Sequence, residues 1–93
     1  MTRRLVFEFA ARDTYLALRK DPHGLMYLAV REVLSSLLEN PGSRQARRLS
    51  YRPDIWGIPV WADDARWLLL WRQSASDPEL VEIHYIGPAP GEG

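Results

Sequence analysis

Four side chains in the second half of the chain have the types and spacing for acid–base chemistry on a phosphodiester. Arg66 and Arg72 belong to "RWLLLWR", and Glu82 and His84 belong to "LVEIHYI". Because alternate residues of a strand share a face, each pair lies on one side of its predicted strand. Arginine would hold phosphate oxygens, and histidine beside glutamate would carry a proton, so Arg66, Glu82 and His84 are predicted as catalytic. The same residues also suit a solvated face whose charges pair across strands, and both interpretations stay open.

A basic segment precedes these strands. "SRQARRLSYR", residues 43–52, holds four arginines and no acidic residue: Arg44, Arg47, Arg48 and Arg52. Arginine suits phosphate recognition, so we predict that these residues, with Arg72, bind a nucleic acid. A genome with GC-rich codons would also favour arginine, and Lys20 is the only lysine. The formal net charge is zero, which argues against a strongly basic nucleic-acid binder.

All four tryptophans lie between residues 55 and 73. Strand alternation puts Trp56, Trp67 and Trp71 on an apolar face, so we expect them in the core. Trp61 falls on the opposite face, where an exposed indole could stack on a nucleobase. In the last strand the same alternation puts Tyr85 on the apolar face and Ile86 on the opposite, charged face.

The elements that position these residues follow from hydrophobic periodicity. "RRLVFEF" alternates as a first strand, Asp13 is the predicted N-cap of a short helix, and helical spacing from Leu25 ends at Asn40-Pro41-Gly42. Three more strands follow, the first of them extending from Leu49 to Trp61. The expected class is α+β: an N-terminal strand, a two-helix hairpin, then a three-stranded antiparallel meander, with the helices on one sheet face. We expect one domain over residues 1–87 and a flexible tail over residues 88–93.

Composition narrows the function classes. The chain has no cysteine, and its two histidines are not spaced with acidic residues as metal ligands, so no metal site and no cofactor are expected. The apolar run in "MTRRLVFEFA" is too short for a signal peptide or a membrane span. We expect a soluble cytoplasmic protein without a membrane partner.

The segments "LLENPG", "RRLSYRPDIWGIPVWADDARWLLLW" and "LVEIHYIG" together resemble the RelE/ParE superfamily of toxins from type II toxin–antitoxin systems. The resemblance covers nearly the whole chain and rests mainly on apolar spacing, with Arg66 in the position of the family's strand arginine. It implies the strand, helical hairpin and meander described above. Gly57 and Pro59 stand where the family's ribonucleases usually have basic residues, and Pro88 and Ala89 stand where a basic or aromatic residue usually follows the last strand.

The resemblance implies a toxin that inhibits growth and is neutralised by a cognate antitoxin protein. One activity it implies is ribosome-associated mRNA cleavage, with the ribosome and mRNA as partners and attack by the ribose 2′-hydroxyl. A second is ParE-like, non-catalytic inhibition of DNA gyrase. A third is a degenerate interaction module without activity of its own. A homodimer in the absence of the antitoxin is compatible with each of them.

Overall fold

The computed structural model describes residues 3–43 and 46–89, which form an α+β domain with two helices and one five-stranded mixed sheet. The elements are β1 (Arg4–Phe7), α1 (Phe9–Arg19), α2 (Leu25–Glu39), β2 (Leu49–Arg52), β3 (Ile55–Ala62), β4 (Ala65–Gln73) and β5 (Leu80–Pro88). The strand order across the sheet is β1-β5-β4-β3-β2. In the described ranges, neither helix is long and apolar enough to cross a membrane.

Both predicted helices are present, but the first begins earlier than predicted. Helix α1 starts at Phe9 with Glu8 as its N-cap, so the prediction of Asp13 as N-cap is wrong. The Glu8 N–H donates to the Ile83 carbonyl, and the Glu8 carbonyl accepts from Arg12. The chain therefore leaves the sheet and enters the helix at the same residue. Helix α2 begins at Leu25 and ends at Glu39, beside the predicted Asn-Pro-Gly stop.

The sheet differs from the predicted three-stranded meander in strand number and order. The predicted single strand from Leu49 to Trp61 is a hairpin of β2 and β3 that turns at Pro53 and Asp54. Proline lacks a ladder donor and aspartate favours turns, which explains the break. Strands β2 to β5 pair antiparallel in succession, whereas β1 pairs parallel to β5 at the edge.

A bulge in β5 reverses the predicted faces of its last residues. Leu70 pairs with Tyr85 but Trp71 pairs with Ile83, so His84 is an extra residue between two regular pairs. An extra residue shifts the alternation by one. Ile86 is therefore on the core side at 3% exposure, and Tyr85 lies opposite Leu70 on the other side. The predicted positions of Tyr85 and Ile86 were wrong for this reason.

The core lies between the helices and one face of the sheet. It joins Ala11 of α1 and Val30, Leu34 and Leu37 of α2 to inward-facing residues of β3, β4 and β5. Trp71 is fully buried, and Trp56 and Trp67 are partly buried against the same cluster. Trp61 is 58% exposed. The division of the tryptophans into three core residues and one exposed residue is confirmed.

The other face of the sheet, here called the open face, is partly apolar. Leu68, Leu70 and Tyr85 lie on it in neighbouring strands. A Cβ atom at Gly57 would be 3.3 Å from a terminal carbon of Leu68 and of Leu70, so the missing side chain makes room for both leucines. The charged residues predicted for this face therefore flank an apolar centre.

Candidate functional site

A continuous line of charged side chains crosses one end of the sheet, and we call it the acid–base network. Arg72 of β4 donates through Nη1 to Asp54 Oδ2 at 2.8 Å and through Nε to Glu82 Oε1 at 2.7 Å. His84 Nε2 is 3.3 Å from the same Glu82 oxygen, and its Nδ1 is 3.1 Å from Glu8 Oε1. The network thus joins the β2–β3 turn, β4, β5 and the end of β1.

Arg72 and Glu82 are neighbours because their strands pair at these residues. The hydrogen bond from Arg72 lowers the pKa of Glu82 below its ordinary value of 4.5, against a smaller opposing effect of desolvation. The same bond is the main reason that the pKa of Arg72 is raised. Because two carboxylates already bind the Arg72 guanidinium, its charge is largely compensated. This arrangement makes Arg72 a weaker phosphate contact than its position in the sequence suggested.

His84 lies between two carboxylates, and the bulge is what positions it there. Its side chain is 20% exposed, so part of the ring remains reachable from solvent. A neutral imidazole has one N–H donor, whereas the protonated ring has two. Both carboxylate contacts are therefore satisfied as hydrogen bonds only when His84 is protonated. A general acid or base needs one ring nitrogen within reach of the substrate, so a substrate would replace one of these two carboxylates.

Arg66 lies at the opposite end of β4, which we call the tryptophan end. Its backbone carbonyl accepts from the Ala89 N–H, and its strand partner is Trp61. His84 is beside Leu70 and Trp71, four or five residues further along β4. At about 3.3 Å per residue the two positions are roughly 15 Å apart. The structure brings Glu82 and His84 together and leaves Arg66 apart, so one phosphodiester cannot contact all three.

The tryptophan end has its own pairing. The Arg66 guanidinium carbon is 5.4 Å from the centre of the Trp61 ring, within the range of a cation–π contact. Trp61 is nevertheless more than half exposed, so much of its surface remains open to solvent. The two-residue turn that follows contains Asp63 with φ of 54°, an uncommon conformation for a residue with a side chain. An exposed indole and a guanidinium held together can stack on a base and contact phosphate.

The predicted basic segment does not form a single row. Arg47 lies over the ring of Trp56 at 5.4 Å, on the core side of the sheet. Arg48 lines a groove between α2 and β3, and Arg52 lies at the network end of β2. Arg44 falls outside the described residues. The described arginines therefore point to different sides of the sheet.

Two members of the acid–base network, Glu8 and Asp54, were not predicted from the sequence. Glu8 directly follows β1, and Asp54 directly precedes β3. Because Glu82 and His84 belong to β5, alternation along that strand could not group Glu8 or Asp54 with them. An aspartate after Pro53 indicates a turn, but nothing local shows which arginine that turn reaches. Pro88 and Ala89 still pair with β4, beyond the predicted domain limit at residue 87, and residues 90–93 fall outside the described residues.

No group of three or more acidic or histidine side chains in the described ranges is arranged to hold a metal ion. Comparisons with protein-family models, with curated proteins and with solved structures found no match for the chain.

Proposed function

We propose that this protein is the toxin component of a toxin–antitoxin pair and inhibits growth by binding RNA on the open face of its sheet. The observation that carries the proposal is the tryptophan end, where an exposed Trp61 indole and the Arg66 guanidinium lie in contact. The order of one strand, two helices and then antiparallel strands also supports the resemblance to the RelE/ParE superfamily. Fold alone is a weak argument for function, so the proposal must be tested with variants of the open-face residues.

RNA binding at the tryptophan end follows from its chemistry. Stacking of one base on an aromatic side chain contributes about 1–3 kcal/mol and tolerates any base. The planar guanidinium of Arg66 can bond two phosphate oxygens at once. Beyond this end, the open face continues over Leu68 and Leu70 toward the network. A single strand laid along β4 would anchor a base at Trp61 and pass His84 further on.

For the proposed mRNA cleavage, the acid–base network would supply the proton transfer. One ring nitrogen of His84 would exchange its carboxylate partner, Glu82 or Glu8, for the substrate. The neutral ring would then take the proton of the ribose 2′-hydroxyl as that oxygen bonds to phosphorus, or the protonated ring would give its proton to the oxygen whose bond to phosphorus breaks. Arg66 would then hold the strand several residues away and would not contact the scissile phosphate. This role differs from the one that its position in the sequence implied.

The second candidate is non-catalytic inhibition of DNA gyrase or of another bound partner. One observation favours it. The network sets three carboxylates, those of Glu8, Asp54 and Glu82, against Arg72 and His84. Within the network these carboxylates already pair with Arg72 and His84, so the two basic side chains are less able to bind a reacting phosphate. A toxin of this kind would need the tryptophan end and not His84.

Expression of variants in a bacterial host separates the two candidates. We expect Trp61→Ala and Arg66→Ala to abolish growth arrest and RNA binding, while Arg12→Ala, on the exposed side of α1, has no effect. His84→Ala should keep RNA binding and reduce cleavage by about 10²–10⁴-fold if it transfers the proton. Far-UV circular dichroism of each purified variant checks folding.

The outcomes assign the function as follows. Growth arrest retained by His84→Ala and lost by Arg66→Ala would establish non-catalytic binding, and separate assays of translation and of DNA supercoiling would identify the target. Full growth arrest by all three open-face variants would place the active surface elsewhere. Absence of any growth arrest with the unmodified chain, together with the absence of a small neighbouring partner gene, would refute the toxin proposal.

A further inference from the structure

A groove runs along the half of β3 that β2 does not cover. Strand β2 pairs with β3 only from Ile55 to Gly57, whereas β3 continues to Ala62. In the part of the chain that the structure describes, residues 58–62 have no strand partner on the side away from β4. A sheet edge of this kind presents unpaired backbone groups.

The pairing register shows which backbone groups these are. The turn between β3 and β4 has two residues, and Ala62 pairs with Ala65 next to it. In such a hairpin the residues flanking the turn exchange hydrogen bonds, and alternate residues then point away. The backbone groups of Pro59 and Trp61 therefore face the free edge. Pro59 has no N–H, so its place in the strand costs no bond to β4.

The groove has a second wall made by one stripe of α2. The residues of this stripe recur at the spacing of a single helix face: Ala29, Glu32, Val33 and Ser36. On the other side all four consecutive residues 58–61 line the groove, which agrees with the missing strand partner along this edge. The volume is about 450 Å³, and Arg48 lies at the end where β2 begins. The groove extends over about four strand residues, and Ile58 and Val60, which are 6% and 3% exposed, lie at its floor.

We propose that an extended peptide segment of a protein partner, apolar at alternate positions and acidic at one end, binds in this groove as an additional strand on β3. Its backbone would bond the Pro59 carbonyl and both backbone groups of Trp61, as in other cases of strand addition. Its alternate side chains would contact the apolar floor and solvent. An acidic side chain at one end would pair with Arg48. The inference does not depend on the proposed function, because it uses the backbone of Trp61 and not its indole.

A second copy of this chain fits the same edge less well. A foreign strand loses one hydrogen bond opposite Pro59, because proline has no donor. Two copies paired edge to edge about a two-fold axis would place a Pro59 in both strands and lose two. Proline at an edge is a common means of preventing such self-pairing.

The charge and shape of the groove select the partner chemistry. Arg48 and Glu32 both line the groove, so its lining as a whole has no net charge. The stretch 43–52, which contains Arg48, has no acidic residue, so this end of the groove alone favours an acidic group. The floor of Val33, Ile58 and Val60 is apolar and lies between two regular elements. An extended peptide satisfies both the apolar floor and the unpaired backbone groups, whereas RNA has no alternating apolar side chains to place there.

Amide hydrogen exchange and NMR titration test the site directly. In the free protein we expect the Trp61 amide to exchange rapidly, while the Val60 amide, which faces β4, is protected. The probe is a synthetic peptide of about seven residues, a typical strand length, with two glutamates followed by alternating valine and threonine. It should protect the Trp61 amide and shift signals of α2 along the groove. Slow exchange of the Trp61 amide without peptide would overturn the proposal, because the edge would then already be paired.

Variants of groove residues test where the peptide binds. Ser36→Trp should fill the groove and weaken peptide binding at least about tenfold, whereas Ser35→Trp, on the neighbouring exposed face of α2, should not. Arg48→Glu should weaken the acidic peptide and strengthen a lysine-containing version, with Lys20→Glu as the matched charge control. Arg66→Ala should leave peptide binding unchanged, which separates this site from the proposed RNA-binding face.

Three further results would overturn the proposal. Equal effects of Ser36→Trp and Ser35→Trp would show that the peptide binds outside the groove. An Arg48→Glu variant with unchanged preference for the acidic peptide would remove the charge argument. Protection of the Trp61 amide by single-stranded oligouridylate but not by either peptide would assign the groove to RNA instead.

Discussion

The same substitution at two tryptophans should have opposite consequences, because one indole is in the core and the other is on the open face. Trp71 is fully buried, and its Nε1–H donates to the Ala46 carbonyl at 2.7 Å. Ala46 is itself 1% exposed, so no water replaces the indole if it is lost. Trp61 is 58% exposed and its ring contacts Arg66. We predict that Trp71→Phe destabilises the fold strongly and that Trp61→Phe does not.

The magnitude for Trp71→Phe has two contributions. Leaving the buried Ala46 carbonyl without a donor costs about 1–3 kcal/mol. The smaller ring removes roughly two buried carbon atoms, which costs about 1–2 kcal/mol at about 0.8 kcal/mol per buried methylene. The sum is about 2–5 kcal/mol, a large part of the roughly 5–15 kcal/mol by which a small domain is stable. Trp61→Phe keeps an aromatic ring on an exposed position and should change stability by less than about 0.5 kcal/mol.

Urea denaturation, monitored by far-UV circular dichroism, measures the change in the free energy of unfolding for both variants. Circular dichroism is preferable to fluorescence because each substitution removes one of four emitting indoles. A loss below about 1 kcal/mol for Trp71→Phe would contradict the hydrogen bond and the burial from which the prediction follows. A loss at Trp61 as large as that at Trp71 would contradict the division between core and open face.

Three further predictions follow from the sheet. Because Arg72 lowers the pKa of Glu82 below 4.5, the stability from this pair is complete above that pH and is lost as the pH falls through the lower folded-state pKa. Glu82→Gln should therefore lose less stability than the unmodified chain on acidification below pH 4.5, and equal losses in urea titrations would exclude the pair as the cause. Asp63→Gly should stabilise the fold by about 0.5–1 kcal/mol, since glycine adopts a φ of 54° without steric cost, and a lower urea midpoint would contradict this. Pro59→Val restores an N–H at the free edge and should promote concentration-dependent self-association in sedimentation velocity, and a monomer at every concentration would refute the assigned edge.

Local periodicity in the sequence correctly indicated several features of this protein. The spacing of apolar residues from Leu25 and the Asn-Pro-Gly stop defined α2, and alternation in β4 placed Trp67 and Trp71 toward the core. The position of Trp61 on the exposed side followed from the same rule. These features depend on residues close together in the chain, which is why the pattern alone sufficed.

The acid–base network depends on contacts that local sequence patterns do not predict. Glu82 and His84 could be paired from their spacing, but Glu8 reaches His84 across the parallel contact of β1 with β5. Asp54 reaches Arg72 only because the chain turns at Pro53. Strand order and register join residues far apart in sequence, so no local pattern determines them.

The bulge at His84 and the distance to Arg66 were decided by tertiary structure alone. A one-residue irregularity moved Ile86 into the core and Tyr85 out of it, and alternation counted along the sequence could not detect it. Arg66 and His84 both belong to the open face, yet antiparallel pairing of β4 with β5 puts them at opposite ends of it. The sequence by itself determined which face of the sheet most side chains occupy, because alternation along a strand is a local property. The pairing of strands decided which side chains contact each other, because neighbours on adjacent strands are far apart in the sequence.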